Sequence, residues 1–163
     1  MRPERTADFA AYARARIPNL LRFGVALTGS RTEADDLVQE ALARVAVRWS
    51  RITRSGDPES YIRRTMVNLH ISWWRSRRRE ILHADPPERP VVDETGSGEI
   101  WEALRSLPPR QRAVLVLRYF QDLTEAEAAV VLGCSVGTVK SQSAKALAKL
   151  RVHLNANTLV EKP

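Results

Sequence analysis

Thr138, Ser141 and Gln142, with Lys140 and Lys145 among them, are the side chains of this 163-residue chain best suited to grip another molecule. Hydroxyls and a carboxamide both donate and accept hydrogen bonds, and glutamine can pair with the two-atom edge of adenine. The lysines, joined by Lys149, attract phosphate. Residues 138, 141, 145 and 149 share a helical face, and residues 136–151 contain no acid. A helix with that face is suited to the major groove of DNA. Bond-making chemistry is not spaced for. His70, His83 and His153 stand apart, Cys134 is the lone cysteine, and no carboxylates cluster at metal or nucleophile spacing. We therefore expect no catalytic residue, no metal and no cofactor.

The elements that must position this face follow from the flanking residues. Thr124 and Glu127 form a capping box at the start of one short helix. Ala128, Ala129, Val131 and Leu132 supply its packing, and Gly133 ends it. Ser135 caps the next helix, whose Val139, Ser143, Ala146, Leu147, Leu150 and Leu154 form a core face. This is a helix-turn-helix, which presents the N-terminal part of its second helix to base edges. An ordinary helical hairpin with a solvated basic face is the bland alternative, and the short Gly-centred turn weighs against it.

Charge agrees. A net charge of +7 and a pI near 10.3 favour a polyanionic partner. One cysteine leaves no intramolecular disulfide and suits a reducing interior. No apolar run is long enough for a membrane span, and the charged N-terminus is unlike a signal peptide, so we expect a cytoplasmic protein without a membrane partner.

Strand-period alternation is missing, and the expected fold is all-α: two small helical domains joined by a flexible linker. The break at 80–98, rich in proline, glycine and acid, sets the divisions at 1–80, 81–98, 99–155 and a tail at 156–163. Each half is small for an independent core, so tight packing or a large partner is needed. In the first half, helices are expected over about 5–17, 18–28, 32–49 and 58–79. Thr32 and Asp35 are placed to cap the third. Val38, Ala41, Leu42, Val45 and Trp49 make its buried stripe, leaving Asp35, Asp36, Gln39 and Glu40 as an acidic and amide patch. Acids complementing the helix dipole account for the first two but not for Gln39 and Glu40, a turn further on, which points to protein docking.

The fourth helix starts with Asp57 as cap and Pro58 in the first turn. Ile62, Met66, Leu69 and Trp73 form its core stripe, opposite Arg64, Asn68, Ser72, Arg75 and Arg79. Arginines interleaved with Trp73 and Trp74, and no acid from Arg63 to Arg79, suit unstacked bases and a phosphate backbone. Trp74 is the better candidate for an exposed stacking surface, Trp73 for the core.

In this order and spacing, EADDLVQEAL (33–42), DPESYIRRTMVN (57–68) with the following Trp/Arg run, and LPPRQRAVLVLRYFQDLTEAEAAVVLGCSVGTVKS (107–141) resemble the bacterial extracytoplasmic-function (ECF) sigma factors, the small two-domain class of the sigma-70 family. SWWR and GCSVGTVKSQ look most like the actinobacterial sigma-E-like subgroup. The resemblance covers nearly the whole chain. It implies a sigma region 2 and a sigma region 4, with RNA polymerase core (β′ clamp and β subunit) and promoter DNA, duplex and single-stranded, as partners. Asp35, Asp36, Gln39 and Glu40 would dock on the β′ clamp. Loop residues Ser50 to Gly56 would form a pocket for a flipped base of the −10 element, with Arg64 and Asn68 nearby and Trp73, Trp74 and Arg75 supporting the displaced strand or the duplex edge. Ser135, Thr138, Lys140, Ser141, Gln142 and Lys145 would read the −35 element. Many members carry Arg, which prefers guanine, where Gln142, which favours adenine, stands, so the −35 sequence is not carried over from better-known relatives and the base read by Gln142 stays open. The sequence ends soon after the motif, which leads us to expect no extra C-terminal regulatory domain and control by a separate anti-sigma factor. A conventional regulator that binds duplex DNA as a dimer is the alternative. It accounts for the helix-turn-helix but not for the Arg/Trp helix or the acidic patch.

Overall fold

The computed structural model describes residues 3–81 and 98–160, which form eight α-helices and one π-helical turn. These are α1 (Pro3–Thr28), α2 (Arg31–Val47), α3 (Trp49–Ser55), α4 (Pro58–Ile81), α5 (Glu99–Arg105), α6 (Pro109–Leu115), the π turn (Val116–Phe120), α7 (Glu125–Leu132) and α8 (Val136–Val160). No strand occurs among the described residues, and the expected all-α class stands. The linker expected over 81–98 falls almost wholly outside them, as do His83 and the end of the tail.

Three local expectations change. The helices expected over 5–17 and 18–28 are one, α1, with Pro18 inside it. A proline removes one backbone hydrogen bond and disturbs the carbonyl four residues back. Here Arg14 and Pro18 lie on the exposed side, where water reaches that carbonyl, while Leu20, Phe23 and Leu27 anchor the helix beyond it. The second helix is capped not by Thr32 and Asp35 but by Ser30, whose hydroxyl accepts from the Glu33 N–H at 3.3 Å. Gly29 ends the preceding chain segment, so Ser30 is the first residue extended enough to cap. Finally, residues 50–55 are helical rather than loop: α3 runs to Ser55 because Trp49 and Ile52 are both buried one turn apart. Trp49 is gripped by Phe9 and Tyr12 of α1, with ring centroids 5.4 and 4.9 Å away.

The core explains how two small halves suffice. Phe23, Leu27, Leu37, Val45, Ile62 and Met66 of the first half share one buried cluster with Ala113, Val114, Val116, Leu117 and Val131 of the second. Burying each larger apolar side chain contributes roughly 1.5–3 kcal/mol. A smaller cluster of Ala103, Leu107, Leu115, Ala146 and Leu150 ties α8 to α5 and α6. α1 and α2 approach closely because Gly24 faces Ala34: a β-carbon on Gly24 would sit 3.0 Å from that of Ala34.

Candidate nucleic-acid interface

α7, its turn and α8 are built as the residues require. Thr124 accepts from the Glu127 N–H at 3.1 Å while the Glu127 carboxylate accepts from the Thr124 N–H at 2.7 Å. The bond from the Thr124 N–H, with the Thr124 hydroxyl adding to it, holds the Glu127 carboxyl below the usual glutamate range. Gly133 takes φ +66° at the end of α7, the left-handed conformation that favours glycine. The Ser135 hydroxyl then accepts from the Thr138 N–H at 3.1 Å and starts α8.

On α8, Val139 and Ala146 are fully buried and Leu150 nearly so, which fixes the helix roll. Thr138, Lys140, Ser141 and Lys145 face solvent, and Gln142 is half-buried beside them. Ser135 and Thr138 are 2.9 Å apart, oxygen to oxygen, so their hydroxyls are spoken for by the cap until a ligand competes. Lys140 lies 3.9 Å from Glu125 of α7, a loose, exposed pair that does little to neutralise the face.

The acidic patch lies on α2. Asp36 and Gln39 are exposed, Asp35 pairs with Arg31 at 3.6 Å, and Glu40 with Arg44 at 2.8 Å. Each of these is a same-helix pair that a partner cation can replace at little expense. Glu33, at the start of α2, pairs with Arg77 of α4. A groove of about 340 Å³ beside that bridge is lined by Glu33, Asp36, Trp73, Ser76 and Arg77, so the acidic patch and the Arg/Trp helix are adjacent.

α4 begins as expected, with the Asp57 carboxylate accepting from the Ser60 N–H at 3.1 Å and held below its usual range by Ser60. Its Ile62, Met66 and Leu69 are buried and Trp73 partly so. The five α4 residues tied to nucleic acid do not share one surface. Trp74 is 37% exposed and carries Arg78 over its ring at 5.2 Å, a ready stacking platform. Arg75 is exposed near it. Arg64 points at the helix-turn-helix instead: a β-carbon on Gly133 would lie 2.9 Å from Nη2 of Arg64. Asn68 looks into a separate cavity of about 430 Å³, walled by Arg44, Val47, Arg48, Tyr61 and Thr65. Arg48 donates to the Tyr61 hydroxyl at 3.2 Å within it. These walls, rather than residues 50–55, surround Asn68. Sequence reading passed over them, although Tyr61, Thr65 and Asn68 recur at helical spacing on one face.

Comparison with known proteins matches both halves. Residues 12–80 match the family described as Sigma-70 region 2, and residues 97–150 the one described as Sigma-70, region 4. The chain is 39% identical over 157 residues to the RNA polymerase sigma-E factor of Streptomyces coelicolor, covering 93% of this chain and 89% of the relative. It is 34% identical to the ECF RNA polymerase sigma factor EcfG of Rhodopseudomonas palustris, covering 83% and 79%. Among solved structures, the fold matches the sigma factor RpoE in complex with the anti-sigma factor NepR from Bartonella quintana. There the TM-score is 0.73 at 24% identity, over 91% of this chain and 97% of that one. CnrH in complex with the cytosolic domain of CnrY gives 0.66 at 22% identity, over 91% and 88%.

Proposed function

We infer the roles below on the premise that this chain belongs to the ECF group of the sigma-70 family: it is a sigma factor that binds RNA polymerase core and directs promoter-specific transcription initiation. A dimeric regulator is not favoured, since both halves match sigma regions, not the helix-turn-helix half alone. We propose that polymerase supplies all the bond chemistry and that this chain is not an enzyme. Among the described residues no helix is long and apolar enough to cross a membrane, and we place the protein in the cytoplasm with polymerase.

Our assignment of −35 reading to α8 rests on one observation above others. Thr138, Ser141 and Lys145 stand exposed on a helix whose opposite face is fixed by burial. Gln142 reads a base beside them, Ser135 and Lys140 contact the backbone, and lysines hold phosphates. For the −10 element we propose that the unstacked base enters the Asn68 cavity between Arg48 and Tyr61, where polar walls can read its edge. Trp74, with Arg75 and Arg78, stacks the displaced strand, Trp73 supports it from the core, and Arg64 contacts the backbone once free of the Gly133 turn. Asp35, Asp36, Gln39 and Glu40 dock on basic residues of the polymerase β′ clamp.

Two apolar grooves suit protein partners. One of about 320 Å³, with Ile100, Leu104, Tyr119 and Leu147 in its walls, is assigned to the polymerase β subunit. The other, about 560 Å³, has Ile17, Leu21, Val25 and Trp101 in its walls and Arg22 and Arg31 at its rim. It suits an anti-sigma segment with an apolar face and acidic flanks; the similar sigma factor RpoE is in complex with an anti-sigma factor, NepR. The test is initiation from a two-element promoter by purified chain plus core. Replacing Gln39 and Glu40 together by Ala should weaken core binding about tenfold while sparing −35 duplex binding; unchanged core affinity removes the docking assignment. Asn68→Ala should impair strand opening more than −35 binding, and equal losses remove the cavity assignment.

A further inference from the structure

A polar cleft between α1, α4 and the end of the π turn gathers three guanidiniums around one carboxylate. It holds about 310 Å³, and Arg16, Arg22 and Arg63 line it together with Glu59; Asn19, Phe120 and Gln121 complete its wall. Glu59 is fully engaged. Its Oε2 lies 3.4 Å from Nε of Arg16 and accepts from the Tyr12 hydroxyl at 3.0 Å, and its Oε1 lies 3.2 Å from Nη2 of Arg63. Burial, with Glu59 beside it, pushes Tyr12 up to about 12, so the phenol keeps its proton and goes on donating. Arg22, by contrast, is exposed and makes no ion pair or hydrogen bond among the described residues. Three guanidiniums against one carboxylate leave the lining with a net charge of +2. Phe120 is 47% exposed and, with Arg22, walls both this cleft and the apolar groove of about 560 Å³. None of the residues assigned above to DNA or to the β′ clamp lines it.

We propose that this cleft binds a nucleoside diphosphate, with the phosphates among Arg16, Arg22 and Arg63 and the base against Phe120. Arginine forks match phosphate oxygens two at a time. Glu59 takes up one nitrogen each of Arg16 and Arg63 and leaves the others to a ligand. It also holds those two guanidiniums in place before a ligand arrives, which lowers the cost of ordering them on binding. A carboxylate from a protein partner would repeat a bond that Glu59 already makes. A diphosphate carries charge enough to offset the whole excess, and oxygens enough for three guanidiniums. The volume is at the small end of ligand sites, which run from about 300 to 1,000 Å³, a size for a small molecule rather than a duplex. The base leaves the charged cleft over Phe120 towards the apolar groove, where its flat face can stack. Asn19 and Gln121 offer carboxamides to the sugar hydroxyls. The site would add a small-molecule input to a chain whose other surfaces serve polymerase and DNA, and it stands or falls by direct binding, apart from the sigma reading.

Adenosine diphosphate is titrated into the full chain by isothermal calorimetry, with inorganic pyrophosphate, decathymidylate and hexaglutamate as the comparison probes. The nucleotide should bind at one site per chain, and pyrophosphate about tenfold more weakly for want of a base to stack. Arg22→Ala should weaken the nucleotide about tenfold and leave the melting temperature of the free chain unchanged, since that side chain has no partner to lose. Phe120→Leu should bring the nucleotide to the affinity of pyrophosphate and leave pyrophosphate itself unaffected. Arg14→Ala removes a cation from the exposed surface of α1 outside the cleft and should change neither. No binding of the nucleotide up to about 1 mM overturns the proposal. Equal losses in Arg14→Ala and Arg22→Ala overturn it as well, because diffuse attraction to a basic surface then accounts for the binding. Equal affinities for the nucleotide and pyrophosphate do the same, since the nucleoside would then play no part. Displacement of the nucleotide by decathymidylate or by hexaglutamate also refutes it, and assigns the cleft to a nucleic-acid backbone or to an acidic peptide instead.

Discussion

Gly133→Ala tests the helix-turn-helix geometry at its tightest point. The residue sits at φ +66°, where an L-residue with a β-carbon loses roughly 1–2 kcal/mol. The new methyl would also lie 2.9 Å from Nη2 of Arg64. That contact is with the end of a flexible side chain, so Arg64 swings aside and the backbone strain dominates. At about 2–4 °C per kcal/mol for a chain of this size, the melting temperature should drop by about 2–8 °C. Gly133→Asn, which tolerates the left-handed region, should lose less. Arg64→Ala combined with Gly133→Ala should recover little, because the strain is in the turn itself. Thermal melts by circular dichroism on the four chains measure all of this. A Gly133→Ala variant melting within about 1 °C of wild type, or one fully rescued by Arg64→Ala, would refute the reasoning.

The capping box makes a stability prediction: Thr124→Ala should destabilise by about 0.5–2 kcal/mol in chemical denaturation. Because Glu127 is held below its usual range in the folded chain, its contribution is full above that range and is lost as pH falls through the folded value. Glu127→Gln should therefore flatten the acid limb of a melting-temperature profile taken from pH 6 to pH 3. Gln142→Arg should shift preference at one −35 position from adenine towards guanine by about 1–3 kcal/mol, read by competition binding across the four bases. Lys145→Ala should reduce the salt slope of −35 duplex binding by about 0.9, the share of one phosphate contact, without altering sequence preference.

The helix-turn-helix was legible residue by residue because each signal there is local. Thr124 and Glu127, Gly133, and Ser135 act within four positions of themselves, and the structure has all of them in those roles. α4 was equally legible from Asp57, Pro58 and its buried stripe. Ser30 and residues 50–55 were misread for the opposite reason. What decides them is neighbouring context: the turn at Gly29 that leaves Ser30 extended, and the aromatic clamp of Phe9 and Tyr12 on Trp49. The shared core was out of reach of pattern reading. Val114 and Leu117 announce that they are buried, but nothing in their spacing says that they are buried against Phe23 and Met66 rather than within their own half. For the same reason Tyr61 and Thr65 read as ordinary helix residues until the end of α2, with Arg44, Val47 and the following Arg48, closes the cavity around Asn68.

The merged core also bears on how the chain comes off the ribosome. α1, α2 and α4 are complete once Ile81 has been made, and they pack largely through contacts close in sequence, which form quickly. Their seam, with Phe23, Leu27 and Met66, stays uncovered until Leu117 follows. At bacterial synthesis speeds within roughly 5–20 residues per second, that interval lasts roughly 2–7 s. During it the nascent N-terminal half presents an apolar surface to the cytosol, so translation pausing between Ile81 and Leu117 lengthens the window in which chaperones or aggregation compete with completion of the fold.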